Sequence, residues 1–173
     1  MQANQTHSGE DQHNNQASSQ RFLTFKLGEE EYGIDIMRVM EIRGWTETTR
    51  LPNSPAFIRG VINLRGTVVP VLDMRSRFSM HAVEITAQSV VIILYTEERI
   101  LGILVDSVSD ILDVRTNEIK APPAMSHTID EDFLCGLVSV ETRMVVLLNP
   151  NRLLSEKLLQ QIQSSDESES QVQ

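Results

Sequence analysis

The chain has 173 residues, 24 acidic against 15 basic side chains, and a net charge of −9. That length suits one ordinary domain or two small ones, and the acidic balance argues against nucleic acid or anionic lipid as the main partner. No apolar run approaches bilayer length, the N-terminus carries no signal-peptide core, and the one cysteine, Cys135, excludes an internal disulfide and fits a reducing compartment.

Residues 1–20 are Gln, Asn, Ser and His with almost no apolar content, and are expected to be a disordered tail. Residues 164–173 (SSDESESQVQ) read the same way with added negative charge. Between the tails strands dominate. Leu23, Phe25 and Leu27 alternate with polar neighbours up to a turn over Gly28–Glu31, and Tyr32, Ile34 and Ile36 continue the period. The segment Ile36–Ile42 is ambiguous between strand and helical turn.

Residues Ala56–Asp73 read AFIRGVINLRGTVVPVLD, two apolar runs around Arg65-Gly66, which predicts a hairpin. Pro70 lacks an N–H for the ladder, so its strand should lie at an edge or carry a bulge. Just upstream, Asn53 or Ser54 caps a helical turn that begins at Pro55 and ends at Gly60. Val90–Tyr95 is apolar on both faces and should be buried on both. Ile100–Val108, Leu137–Val140 and Met144–Leu148 are further strands, and Cys135 reads as a small buried hydrophobe. Asn149 and Pro150 then open a helix over about 150–163, with Leu154, Leu158 and Ile162 on one stripe and Leu153 and Leu159 beside it.

The halves superpose as sequences. Gly33 matches Gly102 at an offset of 69 residues, and Gly60 matches Gly136 at an offset of 76, so the extra length lies between Ile111 and Gly136, where Pro122 and Pro123 mark a loop. Repeated sets of about five short strands are best buried as two small barrels side by side with a groove between them. The expected fold is therefore all-β, two five-stranded SH3/OB-like barrels related by internal duplication, about 21–80 and 88–149, with a C-terminal helix. Which barrel takes the first strand stays open. Glu41 and Asp110 match, whereas Arg65-Gly66 faces Glu141-Thr142, so Arg65 belongs to one half only.

No catalytic or metal constellation stands out. The four histidines are scattered, there is no CxxC, HExxH or G-x-S-x-G, and no Gly-rich loop opens a helix. Asp35, Asp73, Asp106 and Asp113 read as strand-end residues solvating turns. Binding is the better class. The segment around Glu41, with Ile36, Met37, Val39 and Met40, reads either as core packing, favoured for Ile36 and Ile42, or as an apolar surface with a charge, Val39 and Glu41. Arg65 is of the right sign to pair with Glu41.

The phrase F-I-x-G-V-x-N-L-R-G-x-x-x-P-V-x-D, with EEYGIDIMRVMEIRG before it and VVIILYTEERILGILVDSVSDIL after it, resembles the CheW family of bacterial chemotaxis adaptors over about 21–159. The resemblance implies two barrel-like subdomains in one domain of about 21–163, no enzymatic activity and no cofactor. It implies two partners: the cytoplasmic tips of methyl-accepting chemotaxis receptors and the regulatory domain of the histidine kinase CheA. It further implies a cytoplasmic chain, monomeric in isolation and recruited to membrane-associated receptor arrays without inserting into the bilayer. Carried over residue by residue, Val39, Glu41, Gly60, Arg65 and Val90 fall on the receptor side. Lys120 and Met125 fall on the kinase side, where the match is looser. The alternatives are a CheW-like module of a non-chemotaxis array and, from another class, an oligonucleotide-binding barrel; a hydrolase is the weakest. The acidic charge and the lack of a basic, aromatic-rich strand face argue against the nucleic-acid reading.

Overall fold

Side chains alternating at a two-residue period, punctuated by tight turns, build most of the regular structure among the described residues. A computed structural model describes residues 18–123, 133–154 and 160. The strands are β1 (Ser19–Leu27), β2 (Glu30–Asp35), β3 (Val39–Gly44), β4 (Ile58–Leu64), β5 (Thr67–Asp73), β6 (Val90–Tyr95), β7 (Ile100–Val105), β8 (Ser107–Arg115), β9 (Leu134–Val140) and β10 (Arg143–Leu148). One helical turn, α1 (Met74–Arg77), follows β5 and is capped by Asp73, whose carboxylate accepts from Ser76 N. Ser19 and Gln20, read from sequence as tail, pair with Arg115 and Val114.

Two five-stranded sheets result, in the orders β8-β1-β2-β10-β9 and β3-β6-β7-β5-β4. Adding five to β1–β5, or subtracting it from β6–β10, converts one order into the other. Register agrees with this: Gly33 lies opposite Leu147 in the first sheet, and Gly102 opposite Val71 in the second. Each sheet draws strands from both parts of the chain, so β1 and β2 join β8, β9 and β10. The chain crosses between sheets twice, through the 3-10 turn Ile36–Arg38 between β2 and β3, and at Asp106 between β7 and β8. The stretch read as one strand to Val108 is thus two, in different sheets.

Alternation sorts side chains into three cores. On β6, Ile92 and Leu94 enter a large central core with Phe25, Leu27, Ile34 and Ile103, while Val91 and Ile93 enter a second one with Val69, Val71 and Leu104. Phe22, Val114, Val138, Val145 and Leu147 form the third, within the first sheet. Val91 through Leu94 are all buried, as expected for a strand between two cores, but at the strand ends Val90 is half-buried and Tyr95 is exposed. Thr24 is also buried, and its hydroxyl meets the Asp110 backbone at 3.1 Å.

Closed barrels do not form. The outer strands of each sheet are not laddered to one another; a single bridge draws each pair of edges together, Thr49 with Val61 and Lys120 with Leu137. The connecting segments carry Pro52 and Pro55 in one case and Pro122 and Pro123 in the other. Proline lacks the donor that a continued ladder requires, so each segment crosses the opposite edge at one residue.

Four smaller expectations are also revised. Residues 52–57 form turns, with Ile58 N donating to Pro55 O at 3.0 Å, and Gly60 lies inside β4 rather than at a helix end. Strand β5 is internal, but its ladder with β7 begins only at Val71. Val61, opposite Pro70, spends its N–H and C=O on Thr49, so the missing proline donor costs no β4–β5 bond. Cys135 is exposed, because β9 turns Gly136 and Val138 inward and Cys135 to the other face. At the C-terminus Pro150–Arg152 is a 3-10 turn capped by Asn149, and Leu153 and Leu154 are buried; Leu158, Leu159 and Ile162 of the expected helix, the two expected tails up to Ala17 and from Ser164, and Met125 lie outside the described residues.

Candidate functional site

Arg65 and Gly66 occupy a two-residue turn with Leu64 opposite Thr67. Both have positive φ, 49° and 88°, the backbone of a type I′ turn, and Asn63 Oδ1 accepts from Gly66 N at 2.8 Å. The turn holds Arg65 out toward β3, where its Nη2 donates to Glu41 Oε2 at 3.0 Å. Arg43 Nε stands 3.7 Å from the other Glu41 oxygen. This pair spans the two edge strands of the second sheet. Its Arg65 side chain is 72% exposed, so its net stabilisation is about 0–1 kcal/mol.

Val39 begins β3 opposite Leu94 and packs on the central core. A bulge between Val39 and Glu41 interrupts the β3 register, and around it Met37, Met40 and Ile42 are exposed, Met37 at 84%. Val90 begins β6, half-buried, opposite Gly44. Gly60 is buried with φ +141°, and a Cβ there would stand 2.2 Å from Thr49 O. Its role in the fold is visible in that distance: the Thr49–Val61 bridge needs a residue without a side chain beside it. Gly136 does the same beneath Lys120 in the first sheet, where a Cβ would stand 2.5 Å from Ile119 Cγ2.

Val39, Glu41 and Arg65 therefore gather at one end of the second sheet, while Gly60 lies beneath its edge bridge. Lys120 is exposed on the first sheet, bridged to Leu137. The matching turn there, Glu141-Thr142, also has positive φ at its first residue (Glu141 φ 55°), but not at its second, and carries the opposite charge. Asp110, the counterpart of Glu41, makes no ion pair among the described residues and accepts from Ile111 N at 2.7 Å.

Sequence reasoning missed a second charged cluster. Asp106 accepts from Arg75 Nε at 2.8 Å, from Arg75 Nη2, and from Gly28 N at 2.7 Å. The Arg75 hydrogen bonds hold its carboxyl below the ordinary range against the opposing effect of burial, and the same contact raises the Arg75 pKa. Arg75 sits in a one-turn helix too short to show a period, so no sequence pattern announces it. Asp73, Arg59 and Arg75 line a crevice with Asp106 and Glu84, and Arg59 Nε donates to Asp73 at 3.1 Å, so both arginines are paired within it. Among the described residues there is no group of three or more His, Cys, Asp or Glu placed to hold a metal, and no helix long and apolar enough to cross a membrane.

With two five-stranded sheets and the Arg65 hairpin in view, comparison with known proteins is specific. A family model described as a CheW-like domain matches residues 21–158. The chain belongs to the CheW family. Chemotaxis protein CheW of Klebsiella aerogenes is 45% identical over 136 residues, covering 79% of this chain and 82% of that protein. Protein FrzA of Myxococcus xanthus is 30% identical over 137 residues, covering 78% and 85%. The solved structure of the scaffolding protein TtCheW from Thermoanaerobacter tengcongensis superposes with a TM-score of 0.75 at 32% identity, covering 80% of this chain and 94% of that one. The CheW-like match contains both sheets and every carried-over site residue, Lys120 and Met125 included.

Proposed function

We propose that this chain is a non-enzymatic adaptor that couples methyl-accepting chemotaxis receptors to the histidine kinase CheA. The receptor tip binds the end of the second sheet through Val39, Glu41 and Arg65, with Val90, opposite Gly44 at the other end of β3, as an outlying contact. Gly60 acts there through the backbone crossing it permits. The kinase regulatory domain binds the first sheet, with Lys120 and Met125 on that side. The chain works in the cytoplasm and is gathered to arrays by these contacts, as a monomer when free. The two sheets derive from an ancestral duplication of a barrel-like unit.

The observation that carries this reading is the Glu41–Arg65 pair, 3.0 Å long and present in one half only. Both halves make a two-residue turn whose first residue has positive φ, Arg65 in one and Glu141 in the other, so the fold does not demand arginine there. A weakly stabilising, exposed pair beside Met37, Met40 and Ile42 supports an orienting role on a protein-binding surface. Fixing receptor and kinase on one body lets a small receptor shift bias the kinase equilibrium, and joint engagement raises effective concentration.

Co-sedimentation with receptor-bearing membranes, with and without purified CheA, tests the proposal. Wild type is expected in the pellet in both cases. Arg65→Ala and Glu41→Ala are expected to stay in the supernatant while keeping wild-type circular dichroism. Unfolding of both variants would make these residues structural and remove the site assignment.

A further inference from the structure

The two crossovers between sheets are built differently. At the β7–β8 crossover Asp106 ties together the β1–β2 turn, through Gly28 N, and α1, through two nitrogens of Arg75. Asp106 N donates to Lys26 O at 3.1 Å, and the remaining Arg75 nitrogen donates to His81 O at 3.1 Å. Four of these five contacts meet at Asp106 and tie the segment after β5 to β1 and the β1–β2 turn of the first sheet; the fifth, to His81, lies within that segment.

The offsets that align the halves put Met37 in the place of Asp106, Glu97 in that of Gly28 and Asn151 in that of Arg75. There the turn is held by one neutral bond, Glu97 N to Asn151 Oδ1 at 2.9 Å, and Met37 is 84% exposed. One crossover is bolted by charge and the other is not. The unbolted one runs directly from β2, inside the first sheet, to β3, which carries Val39 and Glu41.

We propose that Arg75 and Asp106 are positioning residues: they fix one relative placement of the two sheets, so that a partner on β3 can bias a partner on the first sheet through the β2–β3 crossover. This rests on the adaptor reading above. Without the latch both surfaces survive, but they no longer sit at a fixed distance, and coupling falls while binding persists.

The test uses Asp106→Asn, which keeps side-chain size, and Arg75→Lys, which keeps the charge but loses the forked geometry. Nitroxide labels on the native Cys135 and on Val68→Cys report the separation of the sheets by pulsed electron resonance. Wild type is expected to give one narrow distance distribution and both latch variants a broad one. In parallel, sedimentation with receptor membranes alone and with CheA alone is expected to stay within about twofold of wild type, whereas receptor-stimulated kinase activity falls at least about fivefold. Unchanged distance distributions, or activity that falls only in step with binding, would overturn the proposal. Should Asp106→Asn lower the folded fraction, Arg75→Lys supplies the same comparison. Wild type that binds neither partner would instead overturn the adaptor reading, while the distance measurement still decides whether the latch sets the placement of the sheets.

Discussion

Arg65, at the tip of one hairpin, reaches 3.0 Å across to Glu41 on the opposite edge of the same sheet. The two side chains are 24 residues apart in sequence and meet only because the sheet curls far enough to bring β3 beside the β4–β5 turn. This pair separates binding from folding in a way that substitutions can resolve.

Arg65→Ala and Glu41→Ala should each lower stability by no more than about 1 kcal/mol in urea denaturation. Receptor recruitment should fall much further, by about tenfold, as expected for a charged residue inside a contact surface. A charge exchange, Glu41→Arg with Arg65→Glu, restores the pair but not the surface, and should leave recruitment low. Recovery of binding in the exchanged protein would show that the pair acts only by closing the sheet.

Gly60→Ala should behave in the opposite way. The φ of +141° and the 2.2 Å approach to Thr49 O leave no room for a methyl group without displacing backbone. The expected cost is about 2 kcal/mol or more, read as a lower urea midpoint, with any binding defect following the loss of folded protein.

Acid should act through Asp106. Its carboxyl titrates below its ordinary value because Arg75 hydrogen-bonds to the charged form. A group whose folded pKa is depressed contributes stability above the unfolded pKa and loses it as pH falls through the folded one. The urea midpoint of wild type should therefore drop between about pH 5 and pH 2, and that of Asp106→Asn should drop less. An equal acid loss in both proteins would contradict this assignment.

Arg77 joins the halves at their junction. Its guanidinium lies 5.2 Å from the Phe57 ring and 5.3 Å from the Phe133 ring, and its Nε donates to Leu153 O at 3.0 Å. Phe57 and Phe133 are equivalent under the 76-residue offset, and each carbonyl accepts from the residue that caps the following turn, Asp73 and Asn149. Arg77→Ala should cost about 1–3 kcal/mol in thermal or urea unfolding, from lost cation–π and hydrogen-bond contacts.

Much of this fold was legible because burial leaves a period. The Val90–Tyr95 run and the Arg65-Gly66 hairpin follow from apolar spacing and one glycine, and Glu41 facing Arg65 follows from charge. What the period does not carry is which sheet a strand joins. Ile100–Val108 is apolar but for Gly102 and the pair Asp106-Ser107, and that pair marks a change of sheet. Strand β8 carries Asp110 and Asp113 on its open side, which hides its period. The exposure of Cys135 depends on which face of an edge strand lies over a core, a matter of register rather than residue type. The Arg75–Asp106 cluster joins residues 31 apart on unrelated elements, so only the folded chain brings it to notice.

The most direct measurement of the adaptor account is CheA autophosphorylation in a reconstitution with receptor-bearing membranes, with this chain present or withheld. The account predicts kinase activity at least about fivefold higher when all three components are present than when any one is missing, and loss of that gain with Arg65→Ala. Kinase activity indifferent to the chain, at concentrations where it sediments with both partners, would contradict it.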